Sequence, residues 1–314
     1  MRVSMDWIRE WVDLPDAIDA RDVAARLIDA GLEVESVDTL GEGFAGTAVV
    51  GRVLSIEELS EFKKPIRWCH VDVGSAAGGV RGIICGARNF TEGDHVVVAL
   101  PGTTLPGDFL IASRQTYGHT SDGMICSERE LGLGDDHDGI IVVNPEEATT
   151  VGQDAAALLG IGTQILDIAV TPDRGYALSV RGIAREVATA FNMPFTDRTM
   201  ELVELPAPSA AAQPWDCSVS DTSVADLFTL RRIIGFNPRA ATPTWMRRRL
   251  VAAGMRPVSL AVDITNYVML EHGQPLHAFD GSTLSGQVRA DRAGSDRSLV
   301  TLDHVDRTLD PDDI

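Results

Sequence analysis

The sequence predicts an α+β, multi-domain chain: a small α/β domain with an OB-type β-barrel inserted into it, followed by the start of a second α/β unit. Three observations predict this. Apolar runs of strand length crowd between about residues 48 and 143. Mixed helical and strand periodicities lie on both sides of that stretch. A Pro/Ala-rich segment ending at Pro214 then separates everything before it from a fresh α/β pattern. A length of 314 residues accommodates about two or three domains.

The first element is a helix. Asp19 is placed to cap it and Asp22 lies in its first turn; Val23, Leu27 and Ala30 follow at helical spacing, and Gly31 can end it. Leu32 to Val37 alternates as a half-buried strand does. Gly41-Glu42-Gly43-Phe44-Ala45-Gly46 matches a dinucleotide-binding fingerprint letter for letter, but the strand-like Ala48 to Leu54 follows it where that chemistry needs a helix, so it reads as a linker. The β module is built from Val49 to Ile56, Cys69 to Val73, Val80 to Cys85, His95 to Leu100, Leu110 to Ala112 and Ile140 to Val143, with turn residues between.

Leu166, Ile168 and Val170 then alternate as a strand, and Val180, Ile183, Ala184, Val187, Ala188 and Phe191 form a helical stripe stopped by Asn192 and Pro194. Insertion of the barrel into one domain accounts economically for α/β pieces on both its flanks. The expected boundaries are 1–39 with 152–199 for the split domain, 40–151 for the module, 200–214 for the linker and 215–314 for the last unit. In that unit Phe228 to Ile234 reads as a strand. Thr242 and Pro243 read as the start of a helix reaching about Ala253, and Val262 to Leu270 as a second helix. Leu309 to Ile314 resembles a turn leading into a strand, where a domain seldom stops, so a truncated or longer parent chain is expected.

Composition narrows the functional classes. No apolar run approaches the ~20 residues that span a bilayer, and the start of the chain lacks a signal-peptide pattern, so a soluble cytoplasmic protein without membrane contact is expected. Cys69, Cys85, Cys126 and Cys217 form no C-x-x-C pair and have no zinc-ligand spacing, and buried free thiols are expected. The formal charge of −19 argues against sequence-blind binding of polyanions, yet a local basic strip can still dock a phosphate ridge. The best such strips are Lys63-Lys64, Arg88 and Arg247-Arg248-Arg249, with Arg231-Arg232 as another pair; a plain solvated face is the bland reading of each. Trp68 and Phe90 can stack on bases, although burial in the barrel is expected for both. Asp135-Asp136-His137-Asp138-Gly139 hints at calcium without EF-hand spacing and reads as an acidic loop.

Three stretches carry a family resemblance. The first is Ile84-Cys85-Gly86-Ala87-Arg88-Asn89 with Ser121-Asp122-Gly123-Met124-Ile125-Cys126-Ser127-Glu128-Arg129-Glu130-Leu131-Gly132, in the order seen in tRNA-associated OB modules. The second combines Trp7-Ile8, Trp11-Val12 and Gly31 to Glu35 with Thr171-Pro172-Asp173-Arg174 and Arg181 to Ala188. The third, the most specific, is Val262-Asp263-Ile264-Thr265-Asn266-Tyr267-Val268-Met269-Leu270-Glu271-His272-Gly273-Gln274-Pro275-Leu276-His277-Ala278-Phe279-Asp280. On these the chain resembles the amino-terminal portion of the bacterial phenylalanyl-tRNA synthetase β-subunit family over nearly its whole length. It departs at Asp226 to Thr229, which lacks the Cys-Pro-Arg-like start of that strand, and at the loose segment 206–213.

The resemblance implies a subunit of an ATP- and Mg²⁺-dependent enzyme that attaches phenylalanine to tRNA(Phe), paired with an α subunit in an α2β2 heterotetramer, with no role for DNA. Adenylation in the family resides on the α subunit, so no residue of this chain is expected to bind ATP or metal. It also implies that 215–314 is the first part of an editing domain. An apolar phenylalanine pocket rejects an extra hydroxyl by only about 10²-fold, and hydrolysis of the wrong ester at a second site makes up the shortfall. By the motif, His277 is placed at that cleft, bonding the tRNA 3′ end or an attacking water, and Asn266 binds substrate or orients water. Gln274 and Asp280 are weaker candidates. No nucleophile stands out, so hydrolysis by positioned water is expected. The bland reading has His277 capping a strand turn and Asn266 fixing a helix end. For a tRNA ligand, Lys63, Lys64, Arg88, Asn89 and the three arginines 247 to 249 are the candidate contacts. The rival class is a non-enzymatic tRNA-binding and subunit-assembly module.

Overall fold

A computed structural model describes residues 1–60, 62, 66–134, 138–144, 150–200, 213–295, 297–301 and 303–314. The chain divides into two compact units, one made of Met1–Glu201 with Arg239–His277 and the other of Leu202–Pro238 with Ala278–Ile314. Residues 201–212 of the expected linker lie outside the described residues, as do Lys63, Lys64 and Asp135 to His137.

The first unit opens with strand β1 (Arg2–Ser4), helix α1 (Met5–Arg9), helix α2 (Ala20–Asp29) and strand β2 (Glu33–Thr39). Asp19 caps α2 by accepting the Arg21 and Asp22 N–H groups at 2.8 and 3.0 Å, and Asp22 returns the favour to the Asp19 N–H at 3.0 Å. This reciprocal box satisfies donors that a helix start otherwise leaves bare. Val23 and Leu27 face the core, and Gly31 leaves the helix at φ 83°, a conformation glycine adopts without Cβ cost.

The inserted module carries β3 (Ala48–Leu59), β4 (Ile66–Asp72), β5 (Val80–Cys85) and β6 (His95–Ala99). The short strands β7 (Thr104–Leu105), β8 (Phe109–Leu110), β9 (Arg114–Thr116), β10 (His119–Ser121), β11 (Met124–Ile125) and β12 (Val142–Val143) follow. The main sheet runs β11-β6-β3-β4-β5, with β12 also on β6. A register shift between Val53 and Ser55 bends β3, as bulges do, and the sheet curls into a half-barrel. Its edges approach where the Asp122 N–H donates to Gly82 O at 2.8 Å and the Ile84 N–H to Ser121 Oγ at 3.0 Å.

Alternation sets two faces. Cys69, Val71, Ile83, Cys85, Val96, Val98 and Phe90 fill the inside. Ala48, Val50, Val97 and Ala99 pack the other way, against Leu105, Ile111, Leu131 and helix α3 (Ala155–Leu159), which is why β6 reads as an unbroken apolar run.

After the module, β13 (Gln164–Ala169) returns between β1 and β2, antiparallel to both, and helix α4 (Val180–Phe191) buries its apolar stripe beneath. Leu40 and Thr163 bond backbone to backbone at 2.9 Å, so the chain enters and leaves the module at one point.

Helices α5 (Thr244–Ala252) and α6 (Leu260–His272) belong to this first unit, so part of the stretch expected as a separate domain packs on the amino-terminal layer. Thr242 does not cap α5. Pro243 holds the cap position, and the Thr242 hydroxyl instead donates to buried Asp263, which also accepts the Val258 N–H at 2.8 Å. Among the described residues the second unit holds β14 (Cys217–Val219) parallel to β15 (Val288–Ala290), and the hairpin β16 (Ser298–Val300)–β17 (Asp306–Thr308). Phe228 to Ile234 is not a strand: it finds no pairing partner, and Ile233 stays 71% exposed. At the end the strand precedes the turn, reversing the order expected for Leu309 to Ile314.

Candidate functional site

The conspicuous chemistry of the first unit clusters around Arg249. Its guanidinium donates to Tyr267 Oη at 2.7 Å and pairs with Glu10, while lying 5.1 Å from the Trp7 ring, 5.6 Å from Trp245 and 6.0 Å from Tyr267. Tyr267 stacks on Trp7 at 5.0 Å and donates to Glu271 at 3.0 Å. Burial, aided by Glu271 and opposed by Arg249, pushes the Tyr267 hydroxyl up to about 12, so it remains a donor at neutral pH. The cation is 14% exposed and fully engaged, which makes it a clamp between α5, α6 and α1.

The other two arginines of the run differ. Arg247 donates twice to Glu128 Oε1, at 2.9 and 2.7 Å. Arg248 has no acceptor among the described residues; its side chain passes Gly160 and lines a cavity of about 350 Å³ with Leu133, Ile140, Val143 and Leu159. Of the three, Arg248 alone has no acidic partner among the described residues. Arg88 holds both oxygens of Glu58, at 3.0 and 2.8 Å. Together with Arg67 it keeps that exposed carboxyl below the usual range. Asn89 uses both ends of its amide on Ile140, donating to its carbonyl at 2.9 Å and accepting its N–H at 3.0 Å, and so closes the 138–140 loop. In the second unit Arg232 lies 5.8 Å over Trp215.

Of the editing candidates, Asn266 lies within α6, Gln274 and His277 follow its end, and Asp280 belongs to the second unit. Asn266 is half-buried in the middle of that helix, so it fixes no helix end, and among the described residues its side chain has no hydrogen-bond partner. Gly273 terminates the helix at φ 76°, and Gln274 and His277 follow in exposed irregular backbone where no strand adjoins them. Asp280 belongs to the second unit and is occupied by Ser282, whose hydroxyl and N–H hold its carboxyl below the ordinary range.

Phe90 is buried, with Arg67 stacked 5.3 Å over its ring. Trp68 is not inside the barrel as expected. Alternation turns it outward, where it stacks on His119 at 4.5 Å, meets His70 edge-on at 5.4 Å and covers Gly82. Phe62 meets Tyr117 edge-on at 4.8 Å. Sequence reasoning missed His70, His119, Phe62 and Tyr117. The Trp68-x-His70 alternation could have flagged His70; only the fold brings in His119. Cys69, Cys85 and Cys126 are buried free thiols, with Cys69 and Cys126 raised by burial to about 12, whereas Cys217 is exposed, contrary to expectation.

Two sequence families match parts of the chain: one described as "Putative tRNA binding domain" over residues 48–154, and one described as "B3/4 domain" over residues 224–314. Over its full length the chain is 58% identical to a protein named phenylalanine–tRNA ligase beta subunit from Thermobifida fusca (strain YX), and 55% identical to the protein of that name from Streptomyces avermitilis. It spans 37% of the length of each. Among solved structures, the CsaA chaperone from Picrophilus torridus overlaps 35% of this chain and 90% of its own, at a TM-score of 0.25 and 15% identity.

Proposed function

We infer that this chain, which belongs to the family of phenylalanine–tRNA ligase β subunits, supports attachment of phenylalanine to tRNA(Phe) and hydrolysis of mischarged tyrosyl-tRNA(Phe). The observation that carries this reading is the alignment of the entire chain with such subunits, at 58% and 55% identity to the two named above. In it, the inserted half-barrel is an OB-type tRNA-binding module within a split α/β domain. Residues 215–314 begin the editing domain, the partner is an α subunit in an α2β2 assembly, and the setting is the cytoplasm. No helix among the described residues is long and apolar enough to cross a membrane.

His277 and Asn266 are the proposed editing residues. Asn266 brings an uncommitted amide to the α6 surface, and His277 an exposed imidazole a few residues beyond the helix end. Such groups suit binding the terminal adenosine and orienting a water toward the ester carbonyl. ATP and Mg²⁺ belong to the complete enzyme. The described residues contain no cluster of three or more His, Cys, Asp or Glu fit to hold a cation.

The test grafts this segment in place of its counterpart in the Thermobifida fusca subunit and joins it to the matching α subunit. Phenylalanine charging should persist, and tyrosyl-tRNA(Phe) should be deacylated while phenylalanyl-tRNA(Phe) survives. His277→Ala should slow tyrosine release at least about tenfold, the scale expected for a general acid–base group. Equal release by both proteins removes His277 from the site. The match to a putative tRNA-binding family over 48–154 favours the second reading, a non-enzymatic tRNA-binding and assembly platform, and it would then stand alone.

A further inference from the structure

We propose that the cavity between helix α5 and the inserted module binds a small monocarboxylate with an apolar body, its head group held by Arg248. The inference rests on neither the tRNA-binding nor the editing reading.

The apolar part of the site comes from the rims of the two module cores. Leu133, Val143 and Leu159 reach the cavity from one core and Ile140 from the other, while α5 contributes Arg247 and Arg248. Folded interiors hold few voids larger than a water molecule. A space of about 350 Å³ lies instead at the small end of the range for ligand pockets. Its aliphatic wall suits a hydrocarbon chain or a single ring.

The polar groups on the wall choose the charge of the ligand. Asn89 uses both ends of its amide on Ile140, and Glu128 accepts two hydrogen bonds from Arg247. Asp138 and Thr244 each have a partner as well. Arg248 differs: among the described residues its guanidinium has no acceptor. The side chain is half-buried, in a chain with 46 acidic residues against 27 basic ones. A partly desolvated charge without a partner is unfavourable, and an anion arriving from solvent relieves it.

Arg248 is also held in place before a ligand arrives. Gly160 ends α3 at φ 72°, and a Cβ there would lie 2.7 Å from Arg248 Cδ and 3.2 Å from its Nε. The missing side chain leaves the channel along which the arginine stem runs, and a stem confined in this way loses less freedom on binding. A planar guanidinium matches a carboxylate through two parallel N–H···O bonds. One unmatched cation on a wall that also carries Glu128 and Asp138 balances a single negative charge, which favours a monocarboxylate over a phosphate dianion. A zwitterionic amino acid fits less well, because its ammonium finds both wall carboxylates already engaged.

The experiment is calorimetric titration of the 314-residue chain with octanoate, octanol and octylammonium, which share one apolar body and differ in head group. Octanoate should bind at one site, octanol about 10- to 150-fold more weakly, the range for losing a hydrogen bond to a charged group, and octylammonium more weakly again. Arg248→Gln should weaken octanoate by that same factor, leave octanol unchanged, and melt like the wild type without ligand. Arg248→Lys keeps the charge without the fork and should recover part of the loss. Saturating octanoate should raise the melting temperature of the wild type and not that of Arg248→Gln. Excess tRNA should leave octanoate bound. If Arg248→Gln melts early, the head-group series on the wild-type chain decides. Equal affinity for octanoate and octylammonium, unchanged octanoate affinity in a folded Arg248→Gln chain, displacement by tRNA, or no binding to the wild type each overturns the assignment.

Discussion

Replacing Arg249 by alanine should loosen the attachment of α5 and α6 to the amino-terminal layer. The substitution removes a charged hydrogen bond to Tyr267 Oη, of about 1.5–3 kcal/mol, and cation–π contacts with three rings of about 0.5–2 kcal/mol each, which overlap and do not add. Glu10 is 34% exposed and keeps its pair with Arg198 at 3.0 Å, so losing Arg249 costs it little beyond this. The expected loss is about 3 kcal/mol, roughly 150-fold in the unfolding equilibrium. Urea unfolding followed by tryptophan fluorescence suits the measurement, because Trp7 and Trp245 both flank the cation. A double-mutant cycle with Tyr267→Phe should return a coupling of about 1–2 kcal/mol, as groups in direct contact do. A loss below about 0.5 kcal/mol, typical of an ordinary surface position, refutes the clamp. If RNA affinity fell while stability held, Arg249 would be a phosphate contact after all.

Two further outcomes follow from the titrating groups. Hydrogen bonds from the Ser223 hydroxyl and N–H, with Arg292, lower the Asp221 carboxyl to about 2 in the folded chain. Its stabilising contribution is therefore complete above the ordinary carboxylate pKa of about 4 and disappears as pH falls through about 2. Carboxyl ¹³C titration by NMR should show that midpoint move upward in Ser223→Ala. Among the cysteines, Cys217 should be the single thiol that reacts quickly with a disulfide reagent in the native chain, the other three reacting only on unfolding; a fast phase surviving in Cys217→Ser would contradict their burial.

Legibility followed the range of the interactions. Local signals were readable: the Asp19 capping box, the alternation of β2 and β13, the stripe of α4 and the run of short strands each depend on residues a few positions apart. Phe228 to Ile234 has strand-forming residues and no neighbour to pair with, and propensity alone does not make a strand. The seat of α5 and α6 was not readable, since it rests on Arg249 meeting Glu10 and Tyr267 meeting Trp7 across most of the chain. Charge counting also misled at the candidate site. Arg247, Arg249 and Arg88 look like phosphate ligands in sequence, but each already has an acidic partner, while Arg248 has none among the described residues. Asn266 and His277 came from the family signature; their neighbourhood is a helix surface and a coil with no local pattern to mark it.

The place of β13 between β1 and β2 sets an order of events during synthesis. Neither outer strand touches the other, so the three-stranded sheet has no partial form until β13 leaves the ribosome. The half-barrel module, about 120 residues encoded in between, emerges before it. At ~5–20 residues per second, β2 waits about 6–24 s for its partner. Throughout that interval the nascent chain carries an unpaired strand edge, the kind of surface that chaperones bind and that mispairs between neighbouring chains when translation is crowded.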